Sequence, residues 1–122
     1  MTAPMSGHAR RKALLVGRLS EYYAAVYLMF RGYRIAAMRF RVKAGEVDII
    51  ARKGNLVAFV EVKARRITGD AVFAVDPATQ RRIRNASLAW IARQPDAASL
   101  AYRYDIVAVT PRSRPQHFSD AF

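Results

Sequence analysis

The sequence predicts an α/β domain in the order α-β-β-β-α-β, with a mixed sheet. Three observations lead there. The first is an apolar pattern of helical period near the start. The second is a pair of alternating apolar segments around Lys53-Gly54-Asn55, the signature of a hairpin. The third is a helix-like stretch between the third and fourth strand-like segments. A strand, a crossover helix and another strand imply parallel pairing with a right-handed connection.

The elements follow in order. Residues 1–12 read as a loose basic arm ending in Arg10-Arg11-Lys12, and 13–122 as a single domain. From Ala13 to Arg31, Leu15, Leu19, Tyr22, Val26 and Phe30 recur at three- and four-residue steps, which makes them the expected inner face of a helix. Gly32 supplies the stop. Tyr33 to Val42 reads as a first strand, Glu46 to Arg52 as a second and Leu56 to Ala64 as a third. Asp76-Pro77 is an N-cap followed by a proline at the first helical position, so a second helix should run to about Gln94, before Pro95. Ala101 to Thr110 is the fourth strand, and Gln116 to Phe122 adds a short edge strand.

Composition narrows the function. The chain has 122 residues, enough for one domain. Lys and Arg number 21 against 9 Asp and Glu, a net charge of +12, which favours a polyanionic partner such as nucleic acid or an acidic membrane surface. There is no cysteine, which removes disulfides, thiolate zinc sites and thiol nucleophiles. The two histidines, His8 and His117, lie far apart. No apolar run nears the ~18 residues of a membrane span, and the start lacks the apolar segment of a signal peptide. A soluble cytoplasmic protein is the expectation.

The chemistry concentrates on the hairpin. If Gly54-Asn55 is the loop, paired positions sum to 109, which sets Asp48 opposite Glu61 and Glu46 opposite Lys63. Alternation puts Glu46, Asp48 and Ile50 on one face, with Val47 and Ile49 on the other. Like charges placed opposite one another destabilise a sheet by about 0.2–1 kcal/mol. Two readings fit this placement. A hard divalent cation such as Mg²⁺ relieves the repulsion and keeps waters for a phosphate substrate, with Lys63 stabilising charge on phosphorus. Alternatively, Lys63 sits between Glu61 and Glu46 as an ion-pair cluster on a surface hairpin.

Around the hairpin, Arg39, Arg41, Lys43, Arg65 and Arg66 form a basic fringe. Arg81, Arg82 and Arg84 sit in the first turns of the second helix, where cations oppose the helix dipole and a bound phosphate would reverse the penalty. Together these eight residues are the candidate nucleic-acid contacts; a solvated charge run is the other reading for any one of them. Tyr22, Tyr23, Tyr27, Phe30 and Tyr33 read as packing surface more readily than as base-stacking residues. Asp105 on the fourth strand reads as an arginine's structural partner.

The residues Gly45-Glu46-Val47-Asp48-Ile49-Ile50-Ala51 and Phe59-Val60-Glu61-Val62-Lys63-Ala64-Arg65 resemble the YraN family of small bacterial proteins, whose pattern is close to G-E-I-D-L-I-A followed by F-V-E-V-K-x-R. The resemblance extends over about residues 14 to 122. It takes in Gly17, Glu21, Ala24, Leu28 and Gly32, then Gly69, Ala74-Val75 and Gln80 to Ile83. It ends with Tyr104-Asp105-Ile106-Val107 and Asp120-Ala121-Phe122. That family is similar to the restriction-endonuclease-like superfamily with its PD-(D/E)xK site, and to archaeal Holliday-junction resolvases.

The resemblance implies a restriction-endonuclease-like core and a nuclease-like protein acting on or binding DNA, including branched DNA. Asp48 and Glu61 would bind Mg²⁺ or Mn²⁺, with the Val62 carbonyl as a further ligand. Lys63 would position the attacking water, and Glu21 would be an accessory metal or water ligand. A homodimer, as in the resolvases, is a further implication. A non-catalytic nucleic-acid-binding protein on the same fold is the alternative. Val47 stands where the superfamily has proline before the aspartate, Ser20 where the family has glycine, and Thr79 where it has lysine on the second helix.

Overall fold

Ser6 opens the first helix, its hydroxyl accepting the Ala9 N–H, in a computed structural model that describes residues 6–65 and 74–122. This cap explains why α1 spans Gly7–Phe30, six residues earlier than the apolar period indicates. Part of the expected arm, including Arg10, Arg11 and Lys12, is therefore helical. Gly32, with φ of 94°, ends the helix as Tyr33 N–H closes back on the Leu28 carbonyl.

Three strands follow: β1 (Arg34–Val42), β2 (Gly45–Lys53) and β3 (Leu56–Ala64). Gly54 takes φ of 60°, while Asn55 stays outside the left-handed region. That is the glycine-first pattern of a type II′ hairpin turn. α2 spans Pro77–Ala92, with Asp76 accepting from the Thr79 backbone as its N-cap. A 3-10 turn (Ala97–Ser99), β4 (Ala101–Val109) and β5 (Gln116–Phe118) complete the order. The last strand is shorter than the sequence indicates.

The five strands lie in sequence order in one sheet. β1–β2, β2–β3 and β4–β5 are antiparallel, and β3–β4 is parallel, as the crossover through α2 requires. The sheet is thus the expected mixed one on an α-β-β-β-α-β core.

Helices cover both faces. Ile83, Ala86 and Trp90 of α2 pack with Val47, Ile50, Val57, Phe59 and Ile106. Ala24, Ala25 and Leu28 of α1 pack with Ile49, Ala51, Ala58, Val60 and Val107. β3 therefore alternates faces cleanly, because apolar residues line both of its sides.

The inner face of α1 differs from expectation. Its buried residues, among the described side chains, are Ser20, Ala24, Ala25 and Leu28, whereas Leu15, Leu19, Tyr22, Val26 and Phe30 are exposed. Both stripes have helical spacing. The alanines win the sheet because small side chains let the helix approach the β-branched residues of β2 and β3 closely. The larger side chains are left on the opposite side.

The pleat of β2 also breaks near Asp48. Val47 and Ile50 belong to the α2-side core, and Ile49 to the α1-side core. Strict alternation would have put Val47 with Ile49. In β1, Arg39 has φ of 52°, and Met38 and Phe40 on either side of it also join different cores. Met38 pairs with Ile49 and Phe40 with Val47. The two strands thus twist together at Arg39 and Asp48, and this turns Asp48 out of the plain alternation.

Gly45, where β2 begins, has a close-approach role. A Cβ there would run into the Arg82 backbone carbonyl. α2 can lie against the start of β2 only because this residue is glycine.

Candidate active site at the parted ends of the hairpin

Near its turn the hairpin has the register the sum of 109 demands: Lys53 pairs with Leu56, and the ladder runs on to Ile49 with Val60. There it stops. Asp48–Glu61 and Glu46–Lys63, expected as the next pairs, are not ladder partners. The twist at Asp48 parts the strands, and the Asp48 side chain enters the gap. Its carboxylate accepts the Val62 N–H at 2.8 Å, so the donor left at the ladder's end is satisfied by a charged acceptor.

Asp48 and Glu61 still meet. Burial, the Asp48 charge and a hydrogen bond with the Asp48 carboxylate push Glu61 up to about 8, and the nearby Lys63 ammonium, which pulls the other way, is outweighed. Glu61 thus favours its protonated form beside Asp48. Glu21, projecting from α1, is also raised, first by burial and then by the Asp48 charge; Arg39, Arg41 and Arg18 oppose the rise. Three carboxylates from α1, β2 and β3 thus share one electrostatic neighbourhood. No group of three acidic, histidine or cysteine side chains gathers closely enough to hold an ion among the described residues.

Arg39 pairs with Glu21 at 3.3 Å. Arg41 pairs with Glu46 at 2.9 Å, and Arg82 approaches the same carboxylate at 3.9 Å. The first-strand partner Arg41 thus holds Glu46 where Lys63 was expected. Arg84 lies over the Tyr104 ring, 4.4 Å from its centroid. Lys43, Arg65 and Arg81 are exposed, and the Arg65 guanidinium donates to the Ala64 carbonyl. Arg66 lies outside the described residues. The eight basic candidates are therefore not equivalent: Arg39, Arg41, Arg82 and Arg84 engage other side chains of the protein, while Arg65 bonds the backbone carbonyl beside it.

A cleft of about 800 Å³ runs between α1 and the C-terminal ends of β3 and β4. Ser20 and Ala64, neighbours in sequence of Glu21 and Lys63, line it, as do Arg65, Arg112 and Arg114. The last two arginines were missed in the sequence, where Pro111-Arg112-Ser113-Arg114 is an ordinary loop after β4. Only the topology brings that loop beside the hairpin.

Away from the cleft, Asp105 is fully buried. Burial works against its charge. Hydrogen bonds from His117, the Arg103 guanidinium and the Asp120 N–H prevail and hold it down to about 2. Arg103 also donates to Tyr33 at 2.8 Å. This network ties β4, β5 and the connection between α1 and β1 together. It matches the structural role read for Asp105, while the part of His117 is new.

Among the described residues, no helix is long and apolar enough to cross a membrane. Comparison with known proteins gives one consistent answer. Residues 20–109 match the model of the Uncharacterised protein family UPF0102. A UPF0102 protein of Rhizobium etli (strain CIAT 652) is 62% identical over 113 residues, 93% of each chain. One of Sinorhizobium medicae (strain WSM419) is 56% identical, and one of Agrobacterium fabrum (strain C58 / ATCC 33970) is 51% identical, each over all 122 residues and the full length of both chains. The family match covers β2 and β3 entire, together with Glu21 and the lining residues from Ser20 to Val109, so the chain belongs to the UPF0102 family, the YraN-like group that its hairpin residues resemble.

Proposed function

We propose that this protein is a Mg²⁺- or Mn²⁺-dependent nuclease that hydrolyses phosphodiester bonds in DNA. The observation that carries the reading is the Asp48–Glu61 pair beside Lys63. Two carboxylates close enough to share a proton, at the parted end of a hairpin, form a costly arrangement that a divalent cation relieves.

The donor chemistry fits a hard cation. Asp48 and Glu61 supply anionic oxygens, the Val62 carbonyl a neutral one, and waters would complete the shell, as Mg²⁺ prefers. The chemistry supplied by such an ion would be a more acidic water and neutralised charge on the phosphoryl oxygens. The protein's own groups do the rest. Glu61 would hold the ion as a carboxylate beside Asp48, its proton passing to solvent. Lys63 orients the attacking water and stabilises the charge that builds on phosphorus. Glu21, whose carboxylate Arg39 holds at 3.3 Å, would be the accessory acceptor for that water. The cleft beside the site offers Arg65, Arg112 and Arg114 to the DNA backbone, with Lys43 and Arg81 as further exposed contacts. The net charge of +12 suits that partner. Branched DNA is the substrate form the family resemblance suggests, and a homodimer its assembly.

One observation favours a non-catalytic DNA-binding protein on the same fold. The Glu21–Arg39 ion pair ties up the accessory carboxylate. A cleavage assay separates the readings. Duplex, flap, junction and single-stranded DNA are incubated with Mg²⁺ and with Mn²⁺, beside Asp48→Asn. Metal-dependent cutting lost in Asp48→Asn supports the nuclease; salt-sensitive binding with no cutting supports the binder.

A further inference from the structure

The two walls of the cleft differ in chemistry. On one side α1 presents Val16, Leu19 and Tyr23; on the other, the end of β3 and the loop after β4 present Arg65, Arg112 and Arg114. Tyr23, expected as packing surface, is 48% exposed, and Leu19 57%. No Asp or Glu lies among the described lining residues. Arg112 and Arg114 form no ion pair among the described residues. Arg112 also holds φ of 62°, a left-handed conformation that is costly for a residue with a Cβ. Strain of this kind gathers at ligand clamps.

The cleft stands in a defined relation to the candidate hydrolytic site. Val60 and Val62 of β3 pack on the α1 side of the sheet, and Phe59 on the α2 side. By the same alternation Lys63 falls on the α2 side, and Ala64, which lines the cleft, on the α1 side. Ser20, on the α1 wall, directly precedes Glu21. Site and cleft therefore meet across the C-terminal end of β3.

The geometry points to an unpaired nucleotide as the occupant of the cleft, its base against Val16, Leu19 and the Tyr23 ring and its phosphates on Arg65, Arg112 and Arg114. Phosphates alone need no apolar wall. An aromatic ring beside a basic rim is how single-stranded nucleic acid is held, because only an unstacked base has a face to offer. A volume of about 800 Å³ lies within the ~300–1,000 Å³ of small-ligand pockets, room for a nucleotide rather than a stacked duplex. The turn over the end of β3 selects in the same direction. Duplex DNA resists bending over about 150 bp, whereas a single strand makes such a turn freely. That this strand is a substrate rests on the nuclease reading; the unpaired nucleotide then flanks the cut. A fork or flap is accordingly preferred to a fully paired four-way junction.

Binding is measured first without metal, in EDTA, by fluorescence anisotropy of labelled oligothymidine, a splayed fork, a fully paired four-way junction and a duplex. Oligothymidine and the fork should bind about tenfold more tightly than the two fully paired forms. Tyr23→Ala should remove that preference and Tyr23→Phe should keep it. Both variants should retain the far-UV spectrum and a cooperative melt, since the ring is half exposed. In the native chain, 5-iodouracil in the unpaired strand should photocrosslink to Tyr23, located by mass spectrometry. Equal affinity for paired and unpaired DNA overturns the proposal, as does a preference that survives Tyr23→Ala or a crosslink that falls outside the cleft. Displacement of the oligonucleotide by micromolar thymidine 5′-monophosphate also overturns it, in favour of a free nucleotide. Cleavage is then scored separately with Mn²⁺. A preference for unpaired DNA with no cutting keeps the cleft assignment and contradicts the nuclease reading, whereas cutting without the preference does the reverse.

Discussion

The Asp48 carboxylate accepts the Val62 N–H at 2.8 Å, across strands whose ladder has already ended at Ile49 and Val60. One bond thus holds the hairpin open and fixes a carboxylate beside Glu61. The same residue ends the pairing and builds the site. Its substitutions should separate these roles. Asp48→Asn keeps an acceptor for Val62 and removes the charge. Asp48→Ala leaves a part-buried N–H without its acceptor, a loss of about 1–3 kcal/mol. Urea unfolding should therefore find Asp48→Asn more stable than Asp48→Ala by at least 1 kcal/mol. Equal stabilities would mean that the bond does not hold the strands.

Glu61, pushed up to about 8, sets a pH dependence for metal binding. The cation must displace its proton, so Mn²⁺ affinity should rise up to about tenfold per unit from pH 6 to 8 and flatten above. Calorimetric titrations at pH 7 in buffers of different ionisation enthalpy should show close to one proton released per ion. Affinity independent of pH over this range would mean that Glu61 is not a ligand.

The same proton bears on stability, with a definite sign. Glu61 is raised in the folded chain from an ordinary value of 4.5. Its contribution is fully present below 4.5 and is lost as pH climbs towards 8, by up to about 1.4 kcal/mol per unit. Metal-free melts should therefore drop across that window, and Glu61→Gln should reduce the drop. A drop as steep in Glu61→Gln as in the native chain would place its cause elsewhere.

Asp105 should act in the opposite direction. Held down to about 2 by His117, Arg103 and the Asp120 N–H, it stabilises the fold above its ordinary value of 3.8, and that contribution is lost as pH falls towards 2. Arg103→Ala removes one partner of a fully buried carboxylate and should cost about 3–5 kcal/mol, the range for breaking a buried pair. Chemical unfolding at pH 7 checks this. A loss below 1 kcal/mol would show that His117 and Asp120 suffice.

Basic residues should divide by their present engagement. Replacing Arg65, Arg112 and Arg114 together with Ala should weaken DNA binding and lower the salt slope by about one unit per lost phosphate contact. Arg84→Ala, which removes a cation from the Tyr104 ring, should reduce stability by about 0.5–1 kcal/mol and leave the slope nearly unchanged. Fluorescence anisotropy from 50 to 300 mM salt distinguishes them. The reverse pattern would put the DNA on the α2 side.

Local signals in the sequence were enough to locate the strands, the turn at Gly54 and the Asp76 cap of α2. Each is written within a few residues. Hairpin arithmetic also brought Asp48 and Glu61 together, though it placed them in a ladder that ends one pair earlier. The pleat break escaped notice because it depends on Arg39 in a left-handed conformation on a neighbouring strand. The face of α1 was misread for a similar reason. Two apolar stripes share the helical period, and only the sheet decides that alanines fit against it. Arg112 and Arg114 reach the cleft through topology, which a loop sequence does not encode locally.

The central claim is that Asp48, Glu61 and Lys63 form a metal-dependent hydrolytic site, and the most direct measurement is cleavage beside metal binding in three proteins. The native chain should bind Mn²⁺ and cut DNA. Lys63→Ala should bind the ion almost as well and cut nothing, because the lysine acts on water and phosphate. Asp48→Asn should lose both while still binding DNA. A native chain that binds no ion at millimolar concentration, with or without DNA, and cuts no substrate would contradict the account.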